Sequence, residues 1–169
     1  MALHSDFVES LLRLSPEQRA EFLASMPPHR RRALRYLWKL WARPEQWWEP
    51  TEHTFTAVVA GRGFGKTRMG GETTNRVARD HRLCAGWIGI AGRTWGDIEG
   101  TMIDGDDGIR ACAPPGFMPR YNSQKHVLTW PNGVRARCIN GEEPATARGP
   151  NLGWVWGDEL AHWGRLSGP

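Results

Sequence analysis

Apolar positions change their period along this chain, and each change predicts a different element. From Ser15 the pattern is helical. Ser15, Pro16, Glu17 and Gln18 read as a capping box with proline at the first helical position. Phe22, Leu23 and Met26 follow at helical spacing, and Pro27-Pro28 ends that helix and opens another. In the second helix Leu34, Leu37, Trp38 and Trp41 form one apolar stripe. Arg30, Arg31, Arg32, Arg35 and Lys39 decorate the rest, as a solvated face or a surface for DNA or a protein partner. Residues 1–43 therefore read as a helical lead-in, with Trp47-Trp48-Glu49-Pro50 as a proline-bounded linker.

From residue 55 the character shifts. Residues 55–59 are an apolar, β-branched run that predicts a strand, followed by a glycine-rich loop. A helix is expected from there to about Arg79, although Gly70-Gly71 weakens it. Residues 84–91 are apolar almost throughout, as a strand buried on both faces should be. Gly92-Arg93-Thr94 turns into a short helix with Thr94 as its N-cap. Residues 104–124 read as irregular loop. Residues 126–130 and 134–139 flank Pro131-Asn132-Gly133 and predict a β-hairpin. A short helical turn follows Pro144, and Trp154-Val155-Trp156 predicts a last strand ending in Asp158-Glu159. Strands alternating with helices make the fold class α/β.

The candidate chemistry lies where those strands end. Ala60-Gly61-Arg62-Gly63-Phe64-Gly65-Lys66-Thr67 stands between a predicted strand and a predicted helix, the layout of a nucleotide phosphate cradle. Gly61, Gly63 and Gly65 let backbone N–H groups converge on an anion. The helix start adds its positive dipole end. Lys66 is the residue for the β/γ-phosphates, and the Thr67 hydroxyl is the residue for Mg²⁺. Ala60 replaces the usual first glycine. Asp158 suits a metal shell, and Glu159 suits a group that orients water or accepts its proton. The interval of 158 − 66 = 92 residues leaves room for intervening strands. Gln46, upstream of the first strand, has the paired amide groups to read an adenine edge, or is an ordinary polar residue.

Bulk properties narrow the class without choosing the partner. The 169 residues suffice for one core, and 40% apolar with 24% charged residues fits a globular protein. A net charge of +4 weakly favours a polyanion. Ten tryptophans point to core and interface, with a few free to stack on bases. Cys84, Cys112 and Cys138 form no metal-type pair and predict reduced thiols. No run is long enough for a membrane span and no signal peptide is evident, so a cytoplasmic location is expected.

Taken together, the motifs resemble the N-terminal ATPase portion of tailed-phage terminase large subunits, the DNA-packaging motors. The resemblance rests on Arg43-Pro44-Glu45-Gln46, the loop at 60–68, Leu128-Thr129-Trp130-Pro131-Asn132-Gly133, Glu142-Glu143-Pro144, Ala147-Arg148-Gly149-Pro150 and Asp158-Glu159-Leu160-Ala161. It implies a P-loop NTPase core of the RecA-like (ASCE) type over residues 44–169, binding ATP and Mg²⁺. Gly61, Gly63, Gly65, Lys66 and Thr67 would correspond to Walker A, and Asp158 with Glu159 to Walker B and the catalytic glutamate. Gln46 matches the adenine-reading glutamine. Arg62 matches an arginine acting on phosphates in cis, and Arg148 one inserted in trans by a neighbouring subunit. The implied partners are double-stranded DNA, the portal and prohead, the terminase small subunit and further copies in a ring, inside a bacterial host. Only 169 − 159 = 10 residues follow Glu159. The expectation is therefore a core incomplete at its C-terminus, with no nuclease domain and a gap or rearranged pairing in its sheet. A helicase-like ATPase, or a remnant that binds nucleotide without turnover, are the alternatives.

Overall fold

The computed structural model describes residues 2–50, 54–80 and 82–163, so the predicted irregular ending at 164–169 lies outside the described residues. The chain divides into two compact units, Met1–Trp48 and Glu49–Pro169.

The first unit is helical: α1 (Ala2–Arg13), α2 (Pro16–Ser25), α3 (Pro28–Leu34) and α4 (Trp38–Trp41), then a 3₁₀ turn at Pro44–Gln46. The capping box forms as its residues dictate. Ser15 Oγ accepts from Gln18 N (3.2 Å), and Gln18 Oε1 accepts from Ser15 N (3.0 Å). The predicted single stripe from Leu34 to Trp41 is interrupted. Leu37 takes φ −94°, ψ 79°, outside the helical region, and separates α3 from α4. Trp41 consequently stays 57% exposed.

The second unit is a mixed α/β domain. It contains α5 (Lys66–Arg79), β1 (Trp87–Gly92), α6 (Trp95–Asp97), a π-helical turn at Ile98–Ile103, and α7 (Ile109–Cys112). Then come β2 (Arg120–Asn122), β3 (Val127–Thr129), β4 (Arg135–Asn140), a 3₁₀ turn at Pro144–Ala147, β5 (Leu152–Gly157) and a 3₁₀ turn at Leu160–His162. The five strands lie in the order β2-β3-β4-β1-β5. β1 pairs in parallel with both β4 and β5, while β2, β3 and β4 form an antiparallel meander. The predicted hairpin thus forms, and Gly133 takes φ +86° in its turn. The stretch expected to be loop contributes α7 and β2. Burial is deepest in β1, where Ile88 and Ile90 are fully buried beside Leu128, Trp130, Ile98, Met102 and Ile109.

One expected strand is absent. Residues 55–60 carry no strand pairing, Phe55 is 75% exposed and Val59 is 97% exposed. β5 pairs directly with β1, so the acidic strand and the run before the loop are not neighbours in the ladder. The five strands are continuous, with β5 at one edge, and the run before the loop lies outside the sheet. A strand is stabilised by cross-strand neighbours and by burial of a face, and this run has neither.

α5 gives the clearest case of packing overriding propensity. Its sequence is mostly polar, yet Met69 through Asn75, with Val77 and Ala78, are buried. Gly70 and Gly71 are there for close approach. A Cβ at position 70 would collide with the Trp156 indole, and one at 71 would sit 3.1 Å from both Cys112 Sγ and the Asp107 carbonyl. About 1 kcal/mol of helix propensity is given up at each glycine. In exchange the helix beds against β5 on one side and α7 on the other.

Candidate nucleotide and metal site

The loop at 60–67 is shaped by two left-handed glycines. Gly63 has φ +76°, and Gly65, the N-cap of α5, has φ +82°. Any residue with a Cβ would be strained at either position. At Gly61 and Gly63 no atom lies within 4 Å of where a Cβ would stand, so the loop backbone is open to approach. Lys66 folds back across the loop. Its ammonium donates to the Ala60 carbonyl (2.8 Å) and the Gly61 carbonyl (3.1 Å). The Thr67 hydroxyl has no hydrogen-bond partner among the described residues.

The acidic pair stands at the C-terminal end of β5. Asp158 N donates to the Ala91 carbonyl (3.0 Å), which carries the β1–β5 ladder one residue beyond the strand. Burial pushes the Asp158 carboxyl above its ordinary value, and the Glu159 charge pushes it further; Lys66 pulls it back down. The packing of Gly70 on Trp156, two residues before Asp158, brings α5 and β5 together. Glu159 has φ +49°, an uncommon conformation for a residue with a Cβ. Its side chain is 64% exposed, with Oε2 3.7 Å from His162 Nδ1.

Arg62 is exposed at the loop tip, and Arg148 is exposed just after the 3₁₀ turn at Pro144–Ala147. No hydrogen bond or ion pair joins either side chain to Lys66, Asp158 or Glu159 among the described residues. Gln46 belongs to the first unit, where it is 5% exposed and its Oε1 accepts from Arg43 N (2.9 Å).

Three participants escaped the sequence reading. Asp97 closes the predicted Thr94 cap, accepting from the Thr94 hydroxyl (2.8 Å), and its charge also raises Asp158. Glu72, buried in α5, accepts from Arg68 Nε (3.0 Å) and Nη2 (2.8 Å), which holds the first turn of the helix. Burial still drives the Glu72 carboxyl upward against that pull. Trp156 is the third, and the unusual Gly70-Gly71 pair was the signal that something large packs there.

These features define a mixed α/β protein in which the helix after a glycine-rich loop packs on the strand that ends in an acidic pair. Residues 57–165 match the family model described as terminase large subunit, T4likevirus-type, N-terminal, and the chain belongs to that family. Membership points to a role in viral DNA packaging. No match is found among curated proteins or among solved structures. No helix among the described residues is long and apolar enough to cross a membrane.

Proposed function

We propose that this chain is an ATP-binding and ATP-hydrolysing part of a DNA-packaging motor, built on a P-loop NTPase core of the RecA-like type. The observation that carries the reading is the packing of Gly70 in α5 on Trp156 in β5, which sets the helix that follows the loop against the strand that ends at Asp158. Supporting it are the two left-handed glycines, the open loop backbone and the unpartnered Thr67 hydroxyl.

In this reading Lys66 exchanges its two carbonyl bonds for oxygens of the β- and γ-phosphates, and the loop N–H groups take the rest. Thr67 and Asp158 are the residues that would hold Mg²⁺, whose positive charge neutralises the triphosphate. The donor set fits: one free hydroxyl and one carboxyl that burial and the Glu159 charge hold above its ordinary value, a shift that a bound cation would oppose. Glu159 orients the attacking water and accepts its proton. Arg62 in cis and Arg148 from a neighbouring copy would neutralise charge spreading over the γ-phosphoryl group. Gln46 would read the adenine. The boundary at 43/44 would then separate a helical lead-in from the ATPase part. Work done on double-stranded DNA would pass through backbone contacts, with the portal, prohead, small subunit and a ring of copies as partners in the bacterial cytoplasm.

A second reading, nucleotide binding without turnover by this chain alone, draws on the exposed Glu159 carboxylate and on the unpaired run at 55–60. Binding of a fluorescent ATP analogue and steady-state phosphate release distinguish the two. We expect Mg²⁺-dependent binding that is lost in Lys66→Ala and kept in Glu159→Gln, with turnover absent from both variants. Turnover that survives both substitutions would remove the proposed site. Lys66-dependent binding without any turnover in the unsubstituted chain would favour the second reading.

A further inference from the structure

The turn at residues 130–133 belongs to no part of the phosphate or metal machinery, yet it makes the buried polar contacts that locate α5. Trp130 is the largest fully buried side chain of the described residues, and its Nε1 donates to Asn75 Oδ1 (3.0 Å). Asn75 is 1% exposed, and its Nδ2 donates in turn to the Ile109 carbonyl (2.8 Å). Asn132 Nδ2 donates to the Ala78 carbonyl (2.8 Å). The turn itself is closed by Gly133 N to the Trp130 carbonyl and Trp130 N to the Val134 carbonyl, both 2.9 Å. It is therefore a stiff anchor.

Its contacts differ in balance from those at the other end of the helix. Near the loop, α5 is held chiefly by close packing of Gly70 on Trp156 and Gly71 on the 107–112 segment, with a long ion pair from Arg68 to Asp107 (3.6 Å). Packing of smooth surfaces resists separation but resists sliding weakly. Hydrogen bonds are directional and lose strength within a fraction of an ångström. Asn75 has one acceptor and one donor engaged with different elements, so displacement along the axis breaks at least one bond. Asn75 and Ala78 follow Lys66 by 9 and 12 residues. At 1.5 Å per residue that is about 14 to 18 Å along a rigid helix.

We infer that the turn at 130–133 is a positioning device: through Asn75 and Ala78 it sets where α5 stands along its axis, and so where the loop at its N-terminus stands. The functional meaning rests on the phosphate-loop reading, but the mechanical claim does not. Trp130 and Asn132 are positioning residues, since neither reaches the loop.

The test uses the full chain with Trp130→Phe, which keeps an aromatic ring but removes the donor and part of the indole's volume, and Asn132→Ala, which removes the bond to Ala78 from an exposed position in the turn. Ile88→Val, a core change in β1, serves as the control of comparable thermal loss. Amide exchange at residues 69–72 and affinity for a fluorescent ATP analogue are measured for each. We expect both turn variants to exchange about tenfold faster than the control at these amides. Nucleotide affinity should fall several-fold while the control keeps its own. Exchange no faster than in the control, in both variants, would overturn the inference. Faster exchange in a chain that binds no nucleotide even before substitution would leave the positioning role standing and remove the phosphate-loop reading.

Discussion

Two runs in the second unit look alike as sequence and end up opposite as structure. Residues 55–60, Phe-Thr-Ala-Val-Val-Ala, and β1, Trp-Ile-Gly-Ile-Ala-Gly, are both short and apolar, and a Gly-Arg pair stands at the end of each, at 61–62 and 92–93. β1 became the centre of the sheet, paired on both sides and fully buried at Ile88 and Ile90. The other run is unpaired, with Val59 97% exposed. Side-chain pattern made each run able to form a strand. Neighbours decided which one did, because an isolated strand satisfies no ladder bonds and buries no face.

Substitution should separate the two runs most sharply. Ile90→Ala should cost about 2–5 kcal/mol of unfolding free energy, through lost burial and the cavity it leaves. Val59→Ala should stay within about 0.5 kcal/mol, as an exposed position does. Urea titration of both variants reads the difference. A loss at Val59 comparable with that at Ile90 would mean that the run is paired in solution and the contrast is false.

The acidic end of β5 gives a smaller effect with an informative sign. Burial and Glu159 raise the folded-state pKa of Asp158 above its unfolded value. Its contribution to stability is therefore fully present below the ordinary carboxylate range and is lost as pH rises through the raised value. Asp158→Asn should accordingly stabilise the unliganded chain at pH 7, by at most about 1 kcal/mol because solvent screens a half-buried group. The same variant should lose Mg²⁺-dependent nucleotide binding. Thermal melts at pH 4 and pH 7 test the sign, and a variant less stable than the parent at pH 7 would contradict it.

The smallest effect is chemical. Burial pushes the Cys112 and Cys138 thiols up to about 12, with the Glu72 and Glu99 charges adding respectively. Cys84 is half-buried and shifted upward as well. Iodoacetamide at pH 8 should therefore label Cys84 first, and slowly, while Cys112 and Cys138 react only on unfolding. Mass spectrometry of the native chain checks the order.

Much of this could be read in advance where the cause is local. The Ser15 capping box, the Thr94 cap and the Pro131-Asn132-Gly133 hairpin each depend on residues three or four positions apart, and all formed. Gly63 and Gly65 were legible for the same reason, since a positive φ selects glycine within a few bonds. Less legible was the stripe from Leu34 to Trp41, because a break at Leu37 leaves the 3.6-residue period almost intact on either side. β2 and α7 were hidden in a stretch rich in glycine, aspartate and proline, where local composition argued for loop.

The amino-acid sequence alone determined the caps, the hairpin turn, the left-handed loop and the acidic residues that close the last strand, since short-range sterics and hydrogen bonding act within a few residues. Tertiary structure alone decided that a polar helix would be buried between Trp156 and Cys112, that Trp130 would reach Asn75 across a sequence separation of 55, and that the run at 55–60 would have no strand partner. Those outcomes depend on which surfaces meet, and a surface has no partner until the rest of the chain has folded against it.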